Sequence, residues 1–302
     1  MLLSQDLPLI LTLLAASVTA ILAGSLLISR GQIMLTEAAS HAVLPGLILG
    51  FLWSGDHGLG ILLGSAAVIA LFVVLTTWLS RRHALGEGVE IAALFPVFFG
   101  AGILLLSLSG LEQTGAIDVD HVLFGSLELI IWLDVWTLSD LLQPSVWASA
   151  PSQLLTALGA MMIALVLGAA FYPHYKRSLM DAPGHRLSTP VAAILSRASE
   201  IVLIALASAA CLRTTGVVVS IALFAGPVIA GWRFSRSLLE LWLFAGLFAG
   251  LAIVLTLLTG WASVSSFGLE PRTSGVLALW LVALALLAPG LAHLAGRKRP
   301  AP

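Results

Sequence analysis

Residues 7–29 read LPLILTLLAASVTAILAGSLLIS, a run without a single ionisable side chain. A bilayer core is about 30 Å thick and a helix rises about 1.5 Å per residue, so the run is long enough to cross it. A secretory signal would need a basic segment before a shorter apolar core. Only Asp6 is charged among the residues before Leu7, and it is acidic. The run therefore reads as a membrane span.

Working outward, eight further stretches have the same character: 33–53, 59–79, 89–109, 153–172, 193–212, 214–233, 238–259 and 274–295. That predicts nine spans. The count drops to eight if the sixth and seventh, which nearly touch at Arg213-Thr214-Thr215-Gly216, form one irregular unit. The whole chain agrees: of 302 residues 59% are hydrophobic and 10% charged, with a mean hydropathy of +1.06. Soluble domains carry roughly 25% charged residues, so too little polar surface exists here for a water-facing shell. Within lipid the backbone must satisfy its own hydrogen bonds. The expected fold is an all-α, polytopic transmembrane bundle forming one domain over residues 1–302, with several helices broken by Pro or Gly.

Several function classes are excluded at this level. A net charge of −1 argues against a nucleic-acid partner. The single cysteine, Cys211, rules out a disulfide framework and a cysteine zinc cluster. No G-x-x-x-x-G-K-[ST] phosphate loop is present, so any nucleotide energy must come from another chain. Nor is there an H-E-x-x-H or G-x-S-x-G pattern to support an intramembrane hydrolase.

Lys and Arg set the orientation. If the connections after odd-numbered spans are cytoplasmic, Arg30, Arg81, Arg82, Lys176, Arg177, Arg186, Arg197, Arg233, Arg236, Arg297, Lys298 and Arg299 all fall inside. Only Arg213 and Arg272 fall outside. This puts the C-terminus in the cytoplasm of a cell-membrane protein and, with nine spans, the N-terminus outside. The 110–152 loop is then external, and it carries six acids but no Lys or Arg. Within it, 122–136 is apolar enough for a short surface helix, and Trp132, Trp136 and Trp147 suit an interfacial belt. The basic stretch 173–190 is the longest cytoplasmic connection and the best place to dock a soluble partner.

The chemistry concentrates in the second span. Glu37 and His41 are four residues apart, which puts them on one helix face. Ionisable groups inside a span are costly and mark functional sites by default. A carboxylate and an imidazole suit a first-row divalent cation, and a second copy related by a twofold axis could supply two more donors. The competing reading is that Glu37 lies near the interface and only hydrogen-bonds His41 or backbone. Pro45-Gly46 follows at once, and Gly226-Pro227 and Pro96 interrupt other spans. Proline removes a helix hydrogen bond, and freed carbonyls in broken helices line many transport sites. For Pro96 an ordinary packed kink is the simpler reading. A weaker candidate, Asp118, Asp120 and His121, could gather cations at the outer mouth.

At these residues a resemblance emerges. Thr36-Glu-Ala-Ala-Ser-His-Ala-Val-Leu-Pro-Gly46 resembles the D-A-L-S-H-A-V-L-P-G signature of membrane permeases of manganese, zinc and iron ABC importers. Asp118-Val-Asp-His-Val-Leu-Phe-Gly125 is similar to that family's D-x-D-x-V-L-F-G segment. Gly216 to Pro227, GVVVSIALFAGP, is similar to its G-x-x-L-V-x-A-L-L-x-x-P span. The resemblance implies paired permease subunits, a cytoplasmic ATPase that binds ATP, and an extracytoplasmic metal-binding protein. It implies no resident cofactor, since the metal ion is cargo. The family's metal-contacting Asp and His fall on Glu37 and His41, the first with one extra methylene. The family's coupling segment F-D-P-x-x-A-x-x-x-G is only partly kept: Asp181 remains, and Arg186 lies in the same basic loop. The alternative function is a secondary divalent-metal carrier or channel that needs no ATPase.

Overall fold

The structure is a computed structural model that describes residues 3–29, 31–32, 34–55, 59–83, 88–111, 127, 130–180 and 190–294. Its long elements are α1 (Leu3–Ser29), α2 (Met34–Ala42), α3 (Leu44–Ser54), α4 (Leu59–His83) and α5 (Val89–Ser109). Then come α6 (Ser152–Ala170), α7 (Tyr172–Met180), α8 (Pro190–Trp232), α9 (Leu238–Phe267) and α10 (Thr273–Leu294). No strand occurs among the described residues. The chain is a multi-pass helical membrane protein, as its composition requires.

Eight helices of spanning length are present among the described residues, and one of them, α8, folds back on itself so that its two arms cover the sixth and seventh predicted spans. The predicted sixth and seventh stretches are a single helical element, α8, interrupted only at Gly216. Kept straight, its 43 residues would reach about 64 Å, twice a bilayer core. It doubles back instead. Ser199 accepts a hydrogen bond from the Tyr175 hydroxyl of α7, and the Cys211 thiol reaches the Ala16 carbonyl midway along α1. Beyond the break, Gly24, nearer the end of α1, packs on the Phe224 carbonyl. Gly231 then packs on α9 beside Leu241 and Ala245. Both arms thus start or finish at the α7 end of the bundle. The turn needs no loop because Gly216 holds φ 78° and ψ 174°, a conformation essentially restricted to glycine. Thr214 and Thr215 at the apex are fully buried. Their hydroxyls donate to the Ala210 and Cys211 carbonyls, and Ser220 donates to Gly216 O, so the buried hydroxyls beside the break are satisfied by backbone.

The bundle consequently has two chemically distinct ends. One carries Trp132–Pro151 with Asp134 and Asp140, and Ser4 of α1 is tied to it. The other carries Arg82, Lys176, Arg177, Arg197, Arg233 and Arg236. These are the charge groups that the sequence assigns to opposite sides.

α8 sits at the centre, mostly buried, against α1, α4, α9 and α10. Close approach elsewhere depends on glycine. A Cβ on Gly46 would stand 2.5 Å from the Gly64 carbonyl oxygen, so α3 and α4 meet backbone to backbone. α9 opens with a reciprocal cap. The Ser237 hydroxyl accepts from the Glu240 amide, and the Glu240 carboxylate accepts from the Arg236 amide.

The acidic-end segment departs from the sequence expectation. Residues 130–136 form turns rather than a surface helix. Helical turns come later, at Leu138–Leu142 and Pro144–Trp147. Trp132 is not part of an interfacial belt: it is 0% exposed, packs with Val135, Val146 and Leu154, and donates its indole N–H to Val146 O. A buried indole needs such an acceptor, and the following turn supplies it. Trp136, 75% exposed, does suit an interface. Asp140 closes the first of these turns, and the amides of Thr137 and Trp136 hold its carboxyl below the ordinary range.

Candidate functional site

The second predicted span is two helical pieces, α2 and α3, joined at Val43. Val43 keeps helical dihedrals and accepts from the Leu47 amide, so the chain stays helical across the joint. Pro45 has no N–H to give the carbonyl four residues back, which belongs to His41. The residue singled out for its imidazole therefore also carries a carbonyl released from the helix ladder.

Glu37 and His41 project from the same side of α2. Leu35, Thr36, Ala38, Ala39, Ser40 and Ala42 are buried in the bundle, whereas Glu37 is exposed and His41 half-exposed. Helical spacing produces this division: the small residues pack inward and the pair one turn apart is left on an uncovered face. His41 is held edge-on by two rings of α5, Phe95 at 5.4 Å and Phe99 at 5.6 Å between centroids. The two phenyl rings stack on each other 5.9 Å apart. This apolar bracket fixes the imidazole plane and shields one side of it from water.

Among the described residues no group of three or more His, Cys, Asp or Glu side chains converges. Glu37 and His41 stand as two polar side chains on the open face of α2. Asp118, Asp120 and His121 lie outside the described residues, as do Asp181 and Arg186 of the basic connection. α7 covers the first part of that connection, and its Lys176 and Arg177 are exposed.

The sequence reading passed over one acid that the structure brings forward. Glu90 opens α5, is only 6% exposed, and finds no hydrogen-bond partner for Oε2 among the described residues. The signal was available: a carboxylate in the first turn of an otherwise uncharged 21-residue apolar helix.

Comparison with known proteins follows the same lines. Residues 7–290 match the ABC 3 transport family. The manganese transport system membrane protein MntD of Bacillus subtilis is 26% identical over 258 residues, covering 84% of this chain and 83% of that protein. An uncharacterized membrane protein of Cyanophora paradoxa is 32% identical over 114 residues, and the match spans only 36% of its length. Among solved structures, PsaBC from Streptococcus pneumoniae in complex with Fab superposes with a TM-score of 0.70. That match is 20% identical and covers 97% of this chain and 95% of the other, which establishes a shared fold.

Proposed function

The chain belongs to the ABC 3 transport family and is a transport subunit rather than an enzyme; on that premise we propose that it conducts a divalent transition-metal ion, manganese before zinc or iron, along a path past Glu37 and His41. One observation carries the reading. A carboxylate and an imidazole stand one turn apart on the uncovered side of a buried helix.

A divalent ion leaving water needs several donors, and two per chain are too few. Pairing two copies across a twofold axis would bring both Glu37–His41 pairs to the axis and build a four-donor station. The carboxylates would offset the ion's charge, and the bracketed imidazoles would fix its position. Mn²⁺ accepts oxygen and nitrogen donors without the preference for thiolate that would demand cysteine. The name of the Bacillus subtilis relative favours manganese as cargo.

The remaining assignments follow from the charge pattern. The acidic end faces outward and receives the ion from an extracytoplasmic binding protein. The basic end faces the cytoplasm, where a separate ATP-hydrolysing subunit docks on α7 and the connection that contains Asp181 and Arg186. Because the chain has no phosphate loop, that ATPase supplies the energy. Co-reconstitution of the chain with its ATPase and binding protein in vesicles tests the reading. ATP-dependent accumulation of ⁵⁴Mn supports it. Equal uptake without ATP would instead identify a secondary carrier or channel.

A further inference from the structure

A groove of about 470 Å³ lies between the last turns of α4 and the first turns of α8. Its lining is Val74, Thr77, Trp78, Arg82, Arg197 and Ile201. From it we propose a binding site for an anionic phospholipid of the cytoplasmic leaflet, with the phosphodiester held between Arg82 and Arg197.

The walls and the mouth have different chemistry. Val74 and Ile201 are aliphatic, and Trp78 is an aromatic of the kind that settles at the lipid–water boundary. Val74 and Trp78 continue the exposed stripe of α4 formed by Leu63, Ala67 and Leu71, which runs the length of the helix. An apolar stripe of that length on a spanning helix faces acyl chains. At its basic end the stripe terminates in Arg82, whose guanidinium carbon lies 5.5 Å from the Trp78 ring centroid. That contact orients the cation over the groove. Arg197 approaches from α8 and is exposed.

Among the described residues no carboxylate lines the groove. Glu200, one turn from Arg197, is turned into the bundle and only 5% exposed. Two guanidiniums above a cleft lined by Val74, Trp78 and Ile201 match a ligand with a phosphate head and hydrocarbon tails. A guanidinium pairs bidentately with phosphate oxygens, and basic pockets between helices at the cytoplasmic side suit anionic headgroups. A soluble phosphate would meet the cations but leave the apolar walls uncovered, and a zwitterionic lipid would bring a choline to repel them.

Native mass spectrometry of the full-length chain, purified with its partner subunits, tests the site. Phosphatidylglycerol, phosphatidylcholine and inorganic phosphate are titrated separately. The expected result is a retained phosphatidylglycerol adduct well above phosphatidylcholine. The Arg82→Gln, Arg197→Gln double variant should weaken it roughly ten- to thirty-fold, as removal of two surface cations predicts. The conservative Arg82→Lys, Arg197→Lys variant should keep most of the preference. The Arg233→Gln, Arg236→Gln variant, altered on the same face but away from the groove, should bind as the parent does. Equal retention of the two lipids, or phosphatidylglycerol binding unchanged in the double Gln variant, would overturn the site. Displacement of the lipid by millimolar inorganic phosphate would reassign it to a soluble anion. An adduct seen only after the ATPase is removed would show that the groove is a protein contact instead.

Discussion

The backbone amide of Trp132 donates to the carbonyl of Ser4 at 2.8 Å, which ties the start of α1 to the segment before α6. The two therefore share one side of the membrane. Since Ser145 is exposed on that segment and Arg177 is exposed at the other end, the arrangement can be read by labelling. A Ser145→Cys variant should react with an impermeant maleimide in intact cells, and Arg177→Cys only after permeabilisation. The reverse pattern would invert the proposed orientation.

That labelling needs no cysteine-free background. Cys211 is fully buried in α8 with its thiol against the Ala16 carbonyl. The unaltered chain should stay unlabelled by maleimide while folded and take up one equivalent once unfolded in detergent, measured by mass. Labelling of the native chain would place Cys211 at a surface and contradict the packing of α8 on α1.

The reversal within α8 makes a prediction about one residue. Gly216→Ala puts a Cβ on a backbone with φ 78° and ψ 174°, which should cost about 1–3 kcal/mol. Gly46→Ala should cost a similar amount, because its Cβ would meet the Gly64 carbonyl, which can move only with its helix. Gly159→Ala is the contrast: it sits in α6 with nothing within 4 Å of an added Cβ. Restored helix propensity should make it neutral or stabilising by about 0.5–1 kcal/mol. Thermal unfolding of the three purified variants, followed by tryptophan fluorescence, separates them.

Apolar run length made the spans legible, because lipid permits little but helix. The Gly216 turn was only half legible. Arg213-Thr-Thr-Gly216 marks a seam, but a helix–glycine–helix reversal needs no loop residues, so two runs merge into one element. Trp132 was misread because an indole in an acidic loop satisfies the interfacial pattern equally well. Its burial depends on Val146 offering a carbonyl fourteen residues on. At the site, four-residue spacing alone placed Glu37 and His41 on one face. The Phe95 and Phe99 bracket was hidden, since it arises only when α5 packs beside α2. Glu90 was overlooked because an acid near a span end looks solvated until the neighbouring helices are in place.

The most direct test of the central claim is ⁵⁴Mn uptake per assembled complex in His41→Ala, Glu37→Gln and Glu37→Asp variants. If the pair is a coordination station, His41→Ala and Glu37→Gln should fall to roughly a tenth of the parent rate or less, since even outer-shell changes at metal sites cost about 10- to 100-fold. Glu37→Asp, which keeps the carboxylate, should retain more activity than Glu37→Gln. Near-normal normalised uptake in both His41→Ala and Glu37→Gln would contradict the account and leave the pair a structural feature of α2.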